Sequence, residues 1–433
     1  MKILSAIIGV LLALGGSAQI ASAQSPPPTS PITHIVIIVQ ENRTVDNLFQ
    51  GFPGANTQSW GLNLNGKQIK LKPVNLNNNY DPNHTHTSFL NECNLSGLVC
   101  QMNGWKQETC GGSTCPDPGA YGYVPQAQVQ PYWNLAQAYA FSDSMFQPNE
   151  GPSFPAHQYV VSGTSTIADG SIYRASENTA AAGCDAPRSS TVLTIDPTGV
   201  EGNPVAPCFN RTSIFTLLDA AGLPWKYYQD GTGANLWHAP DALAPLCPLK
   251  PCSSNPEFAA NVVTNPAQFL TDIGTGLAAV TYVTPTAAES DHAASNDGSG
   301  PAWVTSVVNA IGQSTYWGST AIFILWDDWG GWYDHVVPPM RDSYELSFRV
   351  PLIVVSPYAR VGYISHQQHE FGSILHYTEE TFGLPSLGTT DVLSDDLSDM
   401  FDYTQNPSPF TALAGSKPIQ YWMQQKHGVD VDY

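Results

Sequence analysis

Three apolar runs in this chain stop abruptly at groups able to hold a cation or move a proton. The run THIVIIVQ (33–40) gives way to Glu41, Asn42, Arg43, Thr44 and Asp46, and STAIFILW (319–326 with its flanking serine) gives way to Asp327 and Asp328. The third, LAAVTYVTP (277–285), leads into Glu289, Ser290, Asp291 and His292. Carboxylates and an amide oxygen form a hard donor set suited to a divalent metal ion, with zinc and calcium as the candidates. Consecutive strand residues point to opposite faces, so Asp327 and Asp328 can serve one site only where the strand yields to the Gly330-Gly331 turn. Asp334 and His335 follow in that turn, and a histidine with an ordinary pKa of about 6.5 is suited to protonating a leaving group. Calcium held purely for structure is the competing reading of the acids.

A hydroxyl nucleophile has two candidates. In QPNEGPSFPAHQYVVSGTS (147–165), Gly151, Pro152 and Pro155 force a bend around Ser153 ahead of a helical run. A serine there is exposed to the positive end of the helix dipole, which favours a transferred anion, although a capping serine is the commoner occupant of such a place. Thr44 is the other, and it equally suits the cap of a helix beginning after it. In DPNHTHTSF (81–89), His84 and His86 form a His-x-His pair, with Asn103 nearby in sequence. Loop histidines of this kind more often pack or face solvent than bind metal.

The elements that must position these groups read as α/β. Saturated Ile/Val runs suit strands buried on both faces, and 33–40, 223–230, 277–285, 319–326 and 350–360 have that character. Helical spacing at 132–140, 212–221, 301–313 and 366–383 alternates with them, while 141–146 reads as a short strand or edge. The alternation predicts a mostly parallel central sheet with helices on both faces, whose ligand crevice lies beyond the carboxyl ends of the strands. Residues 51–130 and 166–256 read as loop-rich insertions into one catalytic domain spanning 24–433.

Composition narrows the setting. Residues 1–23 carry an early Lys, a short apolar stretch and the small-residue site Ala21-Ser22-Ala23, the pattern of a cleaved signal peptide. A secreted or periplasmic address follows. The eight cysteines all fall between Cys93 and Cys252. Pairing Cys93 with Cys100, Cys110 with Cys115, Cys184 with Cys208 and Cys247 with Cys252 would close four local loops, although eight cysteines admit many other pairings. A net charge of −20 with only 16 Lys and Arg excludes nucleic acid as a partner and permits at most transient contact with an anionic membrane. An anionic substrate would then need local positive charge, and a bound metal ion supplies it.

Four ordered segments, QENRTVDNLF, GPSFPAHQYVVSGTS, DDWGGWYDHVVPP and RVPLIVVSPYARVGYISH, resemble the motifs of the bacterial phosphoesterase family that contains phospholipases C and secreted acid phosphatases. The resemblance implies an alkaline-phosphatase-like fold and hydrolysis of phosphate esters at a metal-assisted Ser or Thr through a phosphoserine intermediate. Carried over, it makes Glu41 and Asn42, with Asp327 and Asp328, the metal-binding residues and Ser153 the nucleophile, while Thr44 falls outside that role. It matches His292 and His335 to histidines near the pocket and His84 to the histidine of a DPxH segment; His292 or His335 is expected to protonate the leaving group, and His84, His157 and Asp291 are expected to line the substrate pocket. The acidic pair departs from the family's frequent Asp-Glu-His in being followed by Trp329. A small-molecule phosphate ester and a phospholipid head group are both expected substrates, and the Ser form of GPSFPAHQY leans toward the monoester. The alternative is a non-catalytic, calcium-stabilised secreted binding protein on the same fold.

Overall fold

The computed structural model describes residues 30–97 and 99–425; the expected signal peptide over 1–23 lies outside them. Nine strands form the central sheet: β1 (His34–Gln40), β2 (Ala140–Phe146), β3 (Trp225–Tyr228), β4 (Val262–Val263), β5 (Val280–Val283), β6 (Thr320–Trp326), β7 (Arg349–Val355), β8 (Tyr363–Ser365) and β9 (His369–Glu370). Their order is β4-β3-β5-β1-β6-β7-β2-β8, with β9 also paired to β2. The first five are mutually parallel, β7 runs antiparallel to both its neighbours, and β2 is thereby restored to the common direction.

All seven residues of β6 and all seven of β7 are buried, as are Ile35 to Gln40 of β1. Burial on both faces explains why these strands read as continuous apolar runs and not as alternation. The helices pack in two groups, α1 (Gln126–Ala138) with α2 (Gly300–Gly312), and α3 (Ser153–Ser162) with α4 (Ile214–Ala221) and α5 (Phe371–Phe382). This is the mostly parallel α/β arrangement expected. Segment 141–146 is not an edge, because β2 pairs with β7 on one side and with β8 and β9 on the other.

The four cysteine pairs bond as the local-loop reading expects, Cys93–Cys100, Cys110–Cys115, Cys184–Cys208 and Cys247–Cys252. Within the loop-rich 51–130 stretch, a helix over His86–Cys93 is capped by Thr85, whose hydroxyl accepts the Ser88 N–H. Among the described residues, no helix is long and apolar enough to cross a membrane.

Candidate active site

Parallel strands place their carboxyl ends along one edge of the sheet, and register makes them level. Gln40 of β1 lies opposite Trp326 of β6, so Glu41 and Asp327 leave the sheet side by side. The Asp327 N–H donates to the Gln40 carbonyl at 2.9 Å, and the Glu41 N–H to the Ser290 carbonyl at 2.8 Å. Three strand ends are thus tied together by main chain. The fourth, β2, leads through Gly151 and Pro152 to Ser153, the first residue of α3.

The side chains converge. Ser153 Oγ is 3.0 Å from Asp328 Oδ2 and 3.5 Å from Glu41 Oε2. His157, one turn along α3, sets Nε2 at 2.9 Å from Glu41 Oε1 and 3.6 Å from Asp327 Oδ2. Asn42 donates its main-chain N–H to Asp327 Oδ1 at 3.0 Å, and its side-chain amide reaches His84 Nε2 at 3.0 Å. His84 Nε2 in turn lies 3.9 Å from Asp328 Oδ2. Glu41, Asn42, Ser153, His157, Asp327 and Asp328 are all fully buried.

Three carboxylates sealed from water around one imidazole repel one another unless protons or a cation intervene. Asn42 Oδ1 and Asp327 Oδ2 are buried without a hydrogen-bond partner, and Glu41, His157 and Asp327 present ligand atoms within 4.8 Å of one another. Orphaned oxygens beside a mixed oxygen and imidazole donor set fit a divalent cation. A second mixed group, Asp81, His84 and His292, has the same closeness. His84 directs Nδ1 at the Pro82 carbonyl at 3.0 Å and His292 directs Nδ1 at the Ala293 carbonyl at 2.7 Å. Both rings are therefore held with the proton on Nδ1 and Nε2 as the basic atom. A pocket of about 890 Å³, lined in part by Tyr80, Asp81, His84, Pro152 and Asn178, opens beside this group.

Glycine makes the turn possible. Gly330 has φ +59°, and a Cβ there would meet the Asn42 carbonyl oxygen at 2.4 Å; at Gly331, φ +65°, it would meet the Asn83 carbonyl oxygen at 2.6 Å. The turn after Asp328 is wedged between the two backbones that carry Asn42 and His84. Gly330→Ala is expected to lower kcat/KM by roughly 100-fold through displacement of Asn42 and Asp328, with a fall in Tm; a steady-state assay beside thermal denaturation checks both.

Two expected site residues sit elsewhere. His335 Nδ1 is bound to Asp46 Oδ2 at 2.7 Å and Nε2 lies 3.0 Å from Asn56 Oδ1, while Asp334 pairs with Arg349 at 2.8 Å. This buried ionic cluster holds the turn and uses both ring nitrogens, so His335 does not face Ser153 as a leaving-group acid would. The carboxylate of Asp291 points into the core, where Oδ2 accepts from Tyr132 Oη at 2.7 Å and Trp326 Nε1 at 3.1 Å. Asp291 is therefore no pocket residue. Its carbonyl takes two bonds from the Arg43 guanidinium at 2.9 and 2.7 Å, which fixes the His292 loop. Arg43 is thus a framework residue, and its burial pushes its pKa down to about 10.

Burial also pushes the Asp291 carboxyl up to about 6, against the pull of Tyr132 and Arg43. A carboxyl raised in the folded state binds more protons there than when unfolded, so its contribution to stability is present below about pH 4 and is lost as pH rises through about 6. Asp291→Asn should remove that fall, worth up to about 3 kcal/mol, and denaturant unfolding from pH 4 to 7 would reveal it as a flatter profile.

Thr44 is the helix cap, its Oγ1 accepting the Asn47 N–H at 3.1 Å. The His-x-His pair divides: His84 joins the site, whereas His86 directs Nδ1 at the Glu150 carbonyl at 2.7 Å and so packs the loop leading to Ser153. Asn103 bonds Asn94 at 2.9 Å. Asp81 and Trp237, whose ring centroid lies 5.9 Å from that of His292, went unnoticed in the sequence. Asp81 sits in the same DPNH segment as His84 and could have been found there. Trp237 lies in an irregular loop with no periodic signal.

Residues 32–385 match the Phosphoesterase family. The chain is 26% identical to phospholipase C A of Mycobacterium tuberculosis over 439 aligned residues, which cover 88% of this chain and 79% of that protein. It is 24% identical to the hemolytic phospholipase C of Pseudomonas aeruginosa, over 91% of this chain and 60% of that one. Non-specific phospholipase C1 of Arabidopsis thaliana is 23% identical over 87% of this chain and 72% of its own. Among solved structures, a protein in the alkaline phosphatase superfamily from Vibrio parahaemolyticus overlays with a TM-score of 0.40 and 11% identity, over 86% of this chain and 71% of that one. A family match spanning most of the chain and running through all four converging segments decides the question: this protein belongs to the Phosphoesterase family and is a phosphoric ester hydrolase.

Proposed function

We propose that the protein is a secreted, metal-dependent hydrolase of phosphate esters in which Ser153 is the nucleophile. The observation that carries this reading is the 3.0 Å approach of Ser153 Oγ to Asp328 Oδ2 at the centre of a buried acid and imidazole group. Glu41, Asn42, Asp327 and Asp328 would hold a divalent ion, with His157 completing or orienting the set. When bound, that ion supplies positive charge that favours the Ser153 alkoxide and the developing charge on phosphorus.

The chain's own residues carry the steps. Ser153 Oγ gives up its proton to a neighbouring carboxylate and attacks phosphorus, the Oγ–P bond forming as the bond to the alcohol oxygen breaks. The Asn42 amide donates to a non-bridging oxygen. His292, its ring fixed by the Nδ1 bond to the Ala293 carbonyl, protonates the departing alcohol from Nε2 of its imidazolium form, the role expected also of His335 and now left to His292. Water then attacks phosphorus and gives a proton to His292 Nε2, the Oγ–P bond breaks, and Ser153 recovers its proton from the carboxylate as phosphate leaves. His84 shares the substrate wall.

A phosphate monoester or a phospholipid head group fits this chemistry equally. The test is a panel of p-nitrophenyl phosphate, bis(p-nitrophenyl) phosphate and phosphatidylcholine on chelated enzyme refilled with zinc, calcium, magnesium or manganese. Hydrolysis that vanishes on chelation and returns with one ion is the expected result. Full activity after complete chelation would overturn the metal assignment.

A further inference from the structure

A second pair of acids lies outside the Ser153 group. Asp241, in the 229–243 loop that follows β3, is fully buried; its Oδ2 accepts from Gln229 Nε2 at 2.8 Å, and its Oδ1 has no hydrogen-bond partner. Asp185 follows Cys184, accepts the Cys252 N–H on Oδ2 at 2.8 Å, and likewise has a buried Oδ1 without a partner. A carboxylate oxygen from each acid and Cys252 Sγ lie within 4.8 Å of one another. The sulfur is spent in the Cys247–Cys252 disulfide, which leaves the oxygens as the available ligands.

The cation on the lining of the adjoining pocket, Lys250, is an exposed side chain. His238 Nδ1 is 3.8 Å from Asp241 Oδ2 and is directed at the Gly233 carbonyl at 3.3 Å, so it does not pair closely with either acid. Asp185 opens onto a pocket of about 420 Å³ lined also by Thr232, Gly233, Lys250 and Ser253. Water can therefore complete a coordination shell. Two oxygens on one calcium ion at about 2.4 Å can lie up to about 4.8 Å apart, and the two carboxylates approach within that reach. Hard carboxylate and water oxygens, with the sulfur consumed in a disulfide, favour calcium over zinc.

We propose that Asp185 and Asp241 form a calcium site, separate from the catalytic group, that fastens the 229–243 loop to the disulfide-closed loops at Cys184–Cys208 and Cys247–Cys252. That loop carries Trp237 against His292, so occupancy orders the packing around that histidine. The assignment does not depend on which ester is hydrolysed or on Ser153 being the nucleophile.

The test uses the full chain, chelated and then titrated with calcium chloride, followed by calorimetry and thermal denaturation. Asp327→Asn weakens the catalytic set, and calcium should still raise its Tm by about 3 °C or more at saturating ion. When Asp185→Asn and Asp241→Asn are added to Asp327→Asn, that rise should disappear. Should that combination not fold, Asp185→Asn added alone, at the half-exposed acid, should lose most of the rise. Absence of calcium uptake by Asp327→Asn, or an undiminished Tm rise in the Asp185 variants, would overturn the site.

Discussion

Ser153→Ala is expected to reduce kcat on p-nitrophenyl phosphate and on phosphatidylcholine by at least about 1,000-fold, because it removes the atom on which a covalent intermediate would form. The loss should not come from misfolding. Ser153 is fully buried, but alanine takes up less space, keeps helix α3 going and leaves Glu41, Asp327 and Asp328 untouched. Metal uptake should therefore persist, and Tm should move little. Removal of a neutral hydroxyl from among three carboxylates takes away one donor, the bond from Oγ to Asp328 at 3.0 Å, at a cost of about 1 kcal/mol. Activity within tenfold of wild type would mean that water attacks phosphorus directly and that Ser153 only positions Asp328. Acid quench of wild type during turnover, followed by detection of phosphate on Ser153, separates the two mechanisms without any variant.

The frame of this site was legible because strand burial leaves a strong trace. Ile35 to Val39 and the whole of β6 lie between two helix layers, which imposes unbroken apolar runs whose ends are easy to see, and Glu41 and Asp327 stand one residue beyond those ends. Thr44 as a cap was also legible, since capping is local chemistry. Direction was harder. Nothing in RVPLIVV says that β7 runs antiparallel to its neighbours, because that depends on how the chain returns to the sheet. The two misplaced residues share one cause: His335 and Asp291 are adjacent in sequence to real features, the Gly330 turn and His292, but a side chain's direction is decided by partners far along the chain. Asp46 takes His335 from 289 residues away, and Tyr132 takes Asp291 from 159 residues away. His157 is the converse case. Its place one helical turn after Ser153 puts it on the same face as the nucleophile, and Glu41 at 2.9 Å gives it a purpose.

Asp327→Asn should separate stability from catalysis in opposite directions. Asp327 Oδ1 accepts the Asn42 N–H at 3.0 Å, while Oδ2 faces His157 Nε2 at 3.6 Å and is otherwise unpartnered. An asparagine can keep the first bond through its carbonyl oxygen, its NH2 then standing beyond hydrogen-bond reach of His157 Nε2, which donates to Glu41, so the shape of the site survives with one negative charge fewer. Metal affinity should fall, since a carboxylate ligand becomes a weaker amide, and kcat/KM at limiting metal should drop by roughly 1,000-fold, recovering in part as the ion is raised to millimolar concentration. The chelated variant, by contrast, should be more stable than chelated wild type by about 1–2 kcal/mol, because three buried carboxylates have become two. Equilibrium denaturation of both proteins, with and without the ion, reads this directly: wild type should gain the more from metal, and the two curves should cross in order between the chelated and loaded states. If the chelated variant were instead the less stable, the acids would be mutually satisfied without a cation, and the group around Ser153 would be a proton-sharing network and not a metal centre.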